Sequence, residues 1–387
     1  MPERRREPRR LWIWLHRWIG LVTFLLLGLA ALTGCMLCFV RPLDAALNAD
    51  LFRQPAVARP IDVAAAVDQF QAGNRDYRVR SFPLEVPADA RIPVRLEPRV
   101  KCADAAYNQV FLDRATGQPA GWRSDDAAWT RRGATEQLLD LHFKLLVGKY
   151  GRWVMGVVSL AWLISNFIGL WLTWPLKRPY WKSWKRMWRF RLSSATPRLL
   201  LDIHRSSGLW LLLPLTALAF TSVALASFTE LYQPAVKLLV PPKPTLFDAI
   251  APFPGGVDGD IGFVRAVALL RGEAARHGGG WHAATALYFP ARRLYGAALT
   301  DDGALNYRRL GPTYLYIDGA TGKLAEIDSP YGGNRGLALI RMLYPLHSGR
   351  IIGLAGVIIV FLLGIVTLGQ CGTGVYVWWR KRRVRMT

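Results

Sequence analysis

Four stretches without a single charged residue, 18–40, 153–176, 206–229 and 351–379, constrain this chain more than anything else in it. They run 23, 24, 24 and 29 residues, and a helix needs about 20 apolar residues to cross a bilayer core of roughly 30 Å. Lipid offers no partner to backbone N–H and C=O groups, so such stretches cross as helices. The 387-residue chain therefore reads as a multi-pass membrane protein, which excludes a purely soluble enzyme and a disordered basic tail. Its sixteen tryptophans fit, because Trp collects at membrane–water interfaces. The first stretch is longer than a signal-peptide core of about 7–15 residues, and no A-x-A-like site follows it closely, so it is expected to stay as a span.

The net charge of +23 sits beside these stretches. Arg4, Arg5, Arg6, Arg9 and Arg10 precede the first. Lys177, Arg178, Lys182, Lys185, Arg186, Arg189, Arg191, Arg198 and Arg205 lie between the second and third, and Arg380, Lys381, Arg382, Arg383 and Arg385 follow the fourth. Set against Glu3, Glu7 and Asp202, these nineteen cations hold sixteen of the +23. With four spans all three clusters share one side, and positive loops stay in the cytoplasm. Lys/Arg clusters also suit phosphate, but these abut apolar spans, so no nucleic-acid partner is expected. Both termini are then cytoplasmic, and the long segments 41–152 and 230–350 face the periplasm in a bacterium. The tryptophans among the cations of 177–197 suggest an amphipathic segment on the inner membrane surface.

The chain repeats itself. His16-Arg17-Trp18-Ile19-Gly20-Leu21 and His204-Arg205-Ser206-Ser207-Gly208-Leu209 both read H-R-x-x-G-L. Leu141-His142 with Gly148, Gly151, Gly169 and Trp174, and Leu346-His347 with Gly353, Gly356, Gly374 and Trp379, both read L-H-x5-G-x2-G-x17-G-x4-W. In the outer segments Asp113 to Gly117 and Asp318 to Gly322 both read D-x-x-T-G after an alternating stretch, the chemistry of a strand running into a turn. Helices are expected around 61–71 and 261–277. Strands are expected around 77–83, 92–97 and 106–113, and around 284–289, 293–300 and 313–318. This is an α+β pattern in each outer domain. Pro241, Pro242, Pro244, Pro252 and Pro254 mark a linker into the second.

The expected organisation is a span over 11–40, an outer domain over 41–140, a span over 141–175 and a basic loop over 176–203. A span over 204–229, an outer domain over 230–345 and a span over 346–379 follow. From His142 to Trp174 a straight helix would be about 48 Å long at 1.5 Å per residue. Either the helix breaks near Gly148 and Gly151, or His142 and His347 stand at the outer surface.

Four of the six histidines head a span, His16 and His204 at the inner face, His142 and His347 at the outer. Ionisable residues in a membrane mark function. Zinc takes three or four protein ligands, and no Cys, Asp or Glu sits beside these histidines. Haem iron takes two axial ligands on opposite faces of a flat ring, which two histidines supply. Gly20 and Gly208 fall four residues after a histidine, on its helix face, where they leave room for a porphyrin or for close helix packing. Arg17 and Arg205 are placed for haem propionates or lipid phosphate. Cys35 and Cys38 read as small apolar residues, and Cys102 and Cys371 stand apart from them. The loop holding His277 and His282 reads as solvent loop. There is no Ser-His-Asp set, no paired carboxylates and no G-x-G-x-x-G after a strand.

These entries and turns resemble the PepSY-associated transmembrane-helix family over nearly the whole chain. Within it the chain is most similar to inner-membrane ferrisiderophore reductases of the ferrioxamine-reductase type. The resemblance implies an α-helical membrane bundle of four helices with two α+β PepSY-like periplasmic domains. It implies haem b, two groups by the pairing above, with His16, His142, His204 and His347 as axial iron ligands. Fe(III)-siderophore is the implied substrate, reduced in the periplasm with electrons from a quinol or a cytoplasmic reductase. Two alternatives belong to the same family likeness: a non-redox membrane-anchored regulator resembling a peptidase inhibitor, and a haem subunit serving another periplasmic acceptor.

Overall fold

A computed structural model of the chain describes residues 6–99, 107–124, 129–176, 178–191, 195–253, 261–277, 280–304 and 306–386. Cys102, Lys177 and Pro254 lie outside these residues, as do Arg4, Arg5 and the glycines 278 and 279. The first copy of the repeat holds helices α1 (Arg6–Leu37), α2 (Val40–Leu47), α3 (Ala49–Phe52) and α4 (Val63–Gly73). Strands β1 (Tyr77–Pro83), β2 (Ile92–Pro98), β3 (Gln109–Leu112) and β4 (Pro119–Arg123) follow, then α5 (Ala134–Lys144) and α6 (Gly148–Thr173). A short α7 (Tyr180–Lys185) leads into α8 (Thr196–Trp210), α9 (Leu212–Ala226), α10 (Gln233–Leu239), α11 (Leu246–Ala249) and α12 (Gly262–His277). The chain ends with β5 (His282–Phe289), β6 (Leu294–Thr300), β7 (Thr313–Asp318), β8 (Leu324–Asp328), α13 (Arg335–His347) and α14 (Leu354–Met386). The chain divides into a helical unit, residues 1–39, 138–235 and 343–387, and an α+β unit, residues 40–137 and 236–342.

In the α+β unit, alternation puts Ile92, Val94 and Leu96 of β2 on the buried face and leaves Arg95 and Glu97 outside. The strands form one antiparallel sheet in the order β4-β3-β2-β1-β5-β6-β7-β8. The α+β segments of the two copies therefore share a sheet: β1 and β5, the first strand of each copy, pair antiparallel with Phe82 opposite Ala286. Equivalent strands meeting antiparallel put the copies about a local two-fold axis. Val67 and Phe70 of α4 and Ala266 and Leu270 of α12 pack with Val79, Phe82, Leu315 and Ile317 in a common core. Asp68 of α4 accepts hydrogen bonds from Phe263 N (2.7 Å) and Val264 N (2.8 Å), the unpaired first amides of α12. The edge strands β4 and β8 were absent from the sequence reading. They are short and largely exposed, so neither carries a period-two apolar pattern.

In the helical unit, α1, α6 and α14 are long and apolar enough to cross a membrane, and α8 with α9 makes a fourth span if the bent pair counts as one. The span expected over 204–229 is built of two helices meeting at 74°. Pro214 explains the break: it lacks the N–H that would bond the Trp210 carbonyl, and its ring crowds that carbonyl. Of the two alternatives left by the length of 141–175, the helix breaks, and the equivalent helix over 346–379 breaks at the same place. Leu145, Leu146 and Gly148 take positive φ between α5 and α6, and Gly349 and Gly353 do so between α13 and α14. A Cβ on Gly151 would stand 1.7 Å from the Lys144 carbonyl oxygen, and one on Gly356 would stand 1.9 Å from that of Gly349. Glycine at 151 and 356 is what lets the backbone pack this closely at each break. On the loop side, Trp174, Trp184, Trp188 and Trp210 form a line of edge-to-face and tilted contacts with centroids 5.0–5.3 Å apart.

Candidate functional site

The broken helices bring the histidines together two by two. His16 on α1 faces His204 on α8 with ring centroids 6.3 Å apart and planes at 74°. His142 at the end of α5 faces His347 at the end of α13, also at 6.3 Å, with planes at 58°. The shared separation of two non-equivalent pairs is a property of the repeat. Among the described residues, no third His, Cys, Asp or Glu joins either pair in a cluster that could hold a metal.

Each ring is fixed at Nδ1. His142 Nδ1 lies 3.0 Å from Thr33 Oγ1 of α1, and His347 Nδ1 lies 3.1 Å from Thr221 Oγ1 of α9. His16 Nδ1 lies 2.9 Å from Ser165 Oγ of α6. His204 Nδ1 lies 3.2 Å from the Gln370 carbonyl and 3.1 Å from Thr373 Oγ1, both on α14. Glycines stand against the rings: a Cβ on Gly34 would come 3.1 Å from His142 Cε1, one on Gly169 3.4 Å from His16 Cε1, and one on Gly374 3.6 Å from His204 Cε1. Sequence reasoning missed Thr33, Thr221, Ser165, Gln370 and Thr373. The repeat could have found the threonines, since Thr33 and Thr221 both fall seventeen residues after an H-R-x-x-G-L histidine. It did single out Gly169 and Gly374, without their role.

The other named residues stand further from the pairs. Arg17 stacks on Trp18 with its guanidinium carbon 5.8 Å from the ring centre. Arg205 donates to Asp202 Oδ1 (2.9 Å) and the Met187 carbonyl (3.1 Å), and Arg191 holds the same buried Asp202 in two bonds. Arg205 thus ties the loop before α8 to that helix. Gly20 opens onto free space, and Gly208 lies against the Gln370 amide. Cys35 is a buried free thiol against Gly364, its Sγ 3.4 Å from the Phe361 carbonyl. Cys38 and Cys371 are also free thiols. In the α+β unit, His277 lies 3.5 Å from Glu273 on its own helix, and His282 opens β5 at an exposed position.

The separation of 6.3 Å is that of an ordinary ring–ring contact and also of two imidazoles sharing one metal. An imidazole nitrogen bonds a metal at about 2 Å and stands about 1 Å from its ring centre, so two imidazoles on opposite sides of one metal put their centres about 6 Å apart. His16 and Thr33, the partner of His142, are seventeen residues apart on α1, which separates the two levels by about 26 Å.

The model of the PepSY-associated TM region matches residues 13–381. No curated protein matches the chain. The chain belongs to the PepSY-associated transmembrane family.

Proposed function

Starting from that membership and from the histidine pairs, we propose that this is a haem b-bearing reductase of the bacterial cytoplasmic membrane that delivers electrons to Fe(III)-siderophores in the periplasm. The observation that carries the reading is the 6.3 Å separation of the rings in both pairs. His16 and His204 would hold one haem, and His142 and His347 the other. When bound, haem iron supplies one-electron chemistry, tuned by its axial ligands and their hydrogen bonds. The chain's residues hold and orient: hydroxyls and a carbonyl fix the rings, and Gly34, Gly169 and Gly374 keep side chains off them.

The substrate follows the resemblance to ferrisiderophore reductases and its chemistry is consistent. Hard oxygen ligands hold Fe(III) far more tightly than Fe(II), so one electron releases the iron, and a quinol or a cytoplasmic reductase is oxidised in exchange. No acid, base or nucleophile is needed. The cationic clusters favour cytoplasmic termini and a cytoplasmic loop. A polar siderophore enters hydrocarbon only at high cost, so reduction belongs outside, at the His142–His347 end.

The test is a stoichiometric reduction. Purified protein, reduced with dithionite and freed of excess, is mixed with a ferrisiderophore and a chromogenic Fe(II) chelator. The reading expects haem reoxidation with matching Fe(II) release. Failure of the siderophore to reoxidise the haem assigns the chain to another periplasmic acceptor. A colourless protein overturns the reading.

A further inference from the structure

The residues around the pairs decide where the imidazole protons sit. Thr33 Oγ1 donates its hydrogen to the Leu29 carbonyl at 2.8 Å, and Thr221 Oγ1 donates to that of Leu218 at 2.9 Å. Thr373 Oγ1 donates to the Gly369 carbonyl at 2.7 Å. A hydroxyl has one hydrogen. With that hydrogen spent on the helix, each threonine oxygen can only accept from the histidine beside it. The Gln370 carbonyl at His204 can only accept as well. Hence Nδ1 of His142, His347 and His204 carries a hydrogen, and the lone pair of each neutral ring lies on Nε2. At His16 the neighbour at Nδ1 is the Ser165 hydroxyl of α6, at 2.9 Å.

We propose that Thr33 and Thr221 are positioning residues that lock His142 and His347 in the Nδ1–H form, presenting Nε2 as the ligand atom and setting its donor strength. The proposal rests on the haem reading above. The locks cross between the levels. Each H-R-x-x-G-L segment supplies an inner-level histidine, and seventeen residues later a threonine for an outer-level one. Each helix that follows an outer-level histidine returns a hydroxyl to an inner-level one. A hydrogen bond given by the far ring nitrogen raises the basicity of the ligating one, which favours ferric over ferrous iron. The acceptors here are hydroxyls and a carbonyl rather than carboxylates, so the push is moderate.

The experiment is a potentiometric titration of the full-length protein, followed by its haem spectrum and low-spin electron paramagnetic resonance. Thr33→Val keeps the shape and removes the acceptor; Thr33→Ser keeps the acceptor. The expected result is a rise in midpoint potential, or loss, of the outer-level component alone in Thr33→Val, with Thr33→Ser at the wild-type value. Thr221→Val should repeat this, and it stands in if Thr33→Val fails to accumulate. The proposal is overturned if the valine variants titrate with the wild type, or if valine and serine variants shift together. A wild type without haem overturns the haem reading itself, a separate outcome from either.

Discussion

Gly34 and Thr33 are neighbours on α1, and both meet the ring of His142. The side chain missing at one is as specific as the hydroxyl at the other, because a Cβ at 34 already crowds Cε1 at 3.1 Å. Gly34→Val should therefore displace His142 and remove the outer-level component from the reduced-minus-oxidised spectrum, leaving the inner one. An unchanged spectrum would show that the ring can yield. In the α+β unit, Asp318 Oδ1 accepts from Thr321 N (2.8 Å), Thr321 Oγ1 (2.9 Å) and Ala320 N (3.1 Å). The Thr321 N–H, ahead of burial, which opposes it, holds this carboxyl below its ordinary value. A depressed acid stabilises the fold fully above its unfolded value of about 3.9 and loses that contribution as pH falls further. Asp318→Ala should thus cost about 1–2 kcal/mol at neutral pH, read from the thermal midpoint, and the gap to wild type should close below pH 4. A gap that is constant through acid pH would assign the cost to something other than the carboxylate. The histidines were legible at this scale because each heads an apolar run. Their hydroxyl partners were not, since an isolated Thr in a span is commonly bonded only to its own helix, as Thr23 is to the Ile19 carbonyl.

Glycines and one proline shape the elements. The glycines at 151 and 356 pack against the breaks between α5 and α6 and between α13 and α14, and there is no space for a methyl group at either. Gly356→Ala should destabilise by about 1–3 kcal/mol, the usual cost of forced overpacking, and loosen the His347 helix end. Gly28→Ala on α1 is the contrast. Nothing lies within 4 Å of a Cβ there, and removing a helix glycine gains about 0.5–1 kcal/mol. Thermal unfolding in detergent should move in opposite directions for the two. A common direction would mean that the glycines at the breaks are not sterically required. The helix lengths already required a break or a displaced histidine, because about 48 Å of straight helix overruns the bilayer core. The 74° bend between α8 and α9 was hidden inside a stretch that hydropathy alone reads as one span. Pro214 was its one visible cause.

At the scale of the molecule, a duplicated unit has produced two kinds of symmetry. In the α+β unit the copies fuse through β1 and β5 into one eight-stranded sheet. Sequence patterns show which strands alternate but carry no mark of which edge strands pair, so two domains were the natural reading of two repeats. In the helical unit the same duplication sets one histidine from each copy into each pair. The charge clusters predict that the C-terminus is cytoplasmic, so a C-terminal alkaline phosphatase fusion should be inactive in intact cells. An active fusion would invert the proposed electron path. The central claim is that the two pairs are two separate bis-histidine haem sites. Its most direct measurement is the pyridine haemochrome of the purified chain against protein concentration, repeated for four single alanine variants. The account predicts two b-type haems per chain, with His142→Ala and His347→Ala losing the same one and His16→Ala and His204→Ala losing the other. One haem or none in the wild type, or His16→Ala and His142→Ala abolishing the same component, would contradict it.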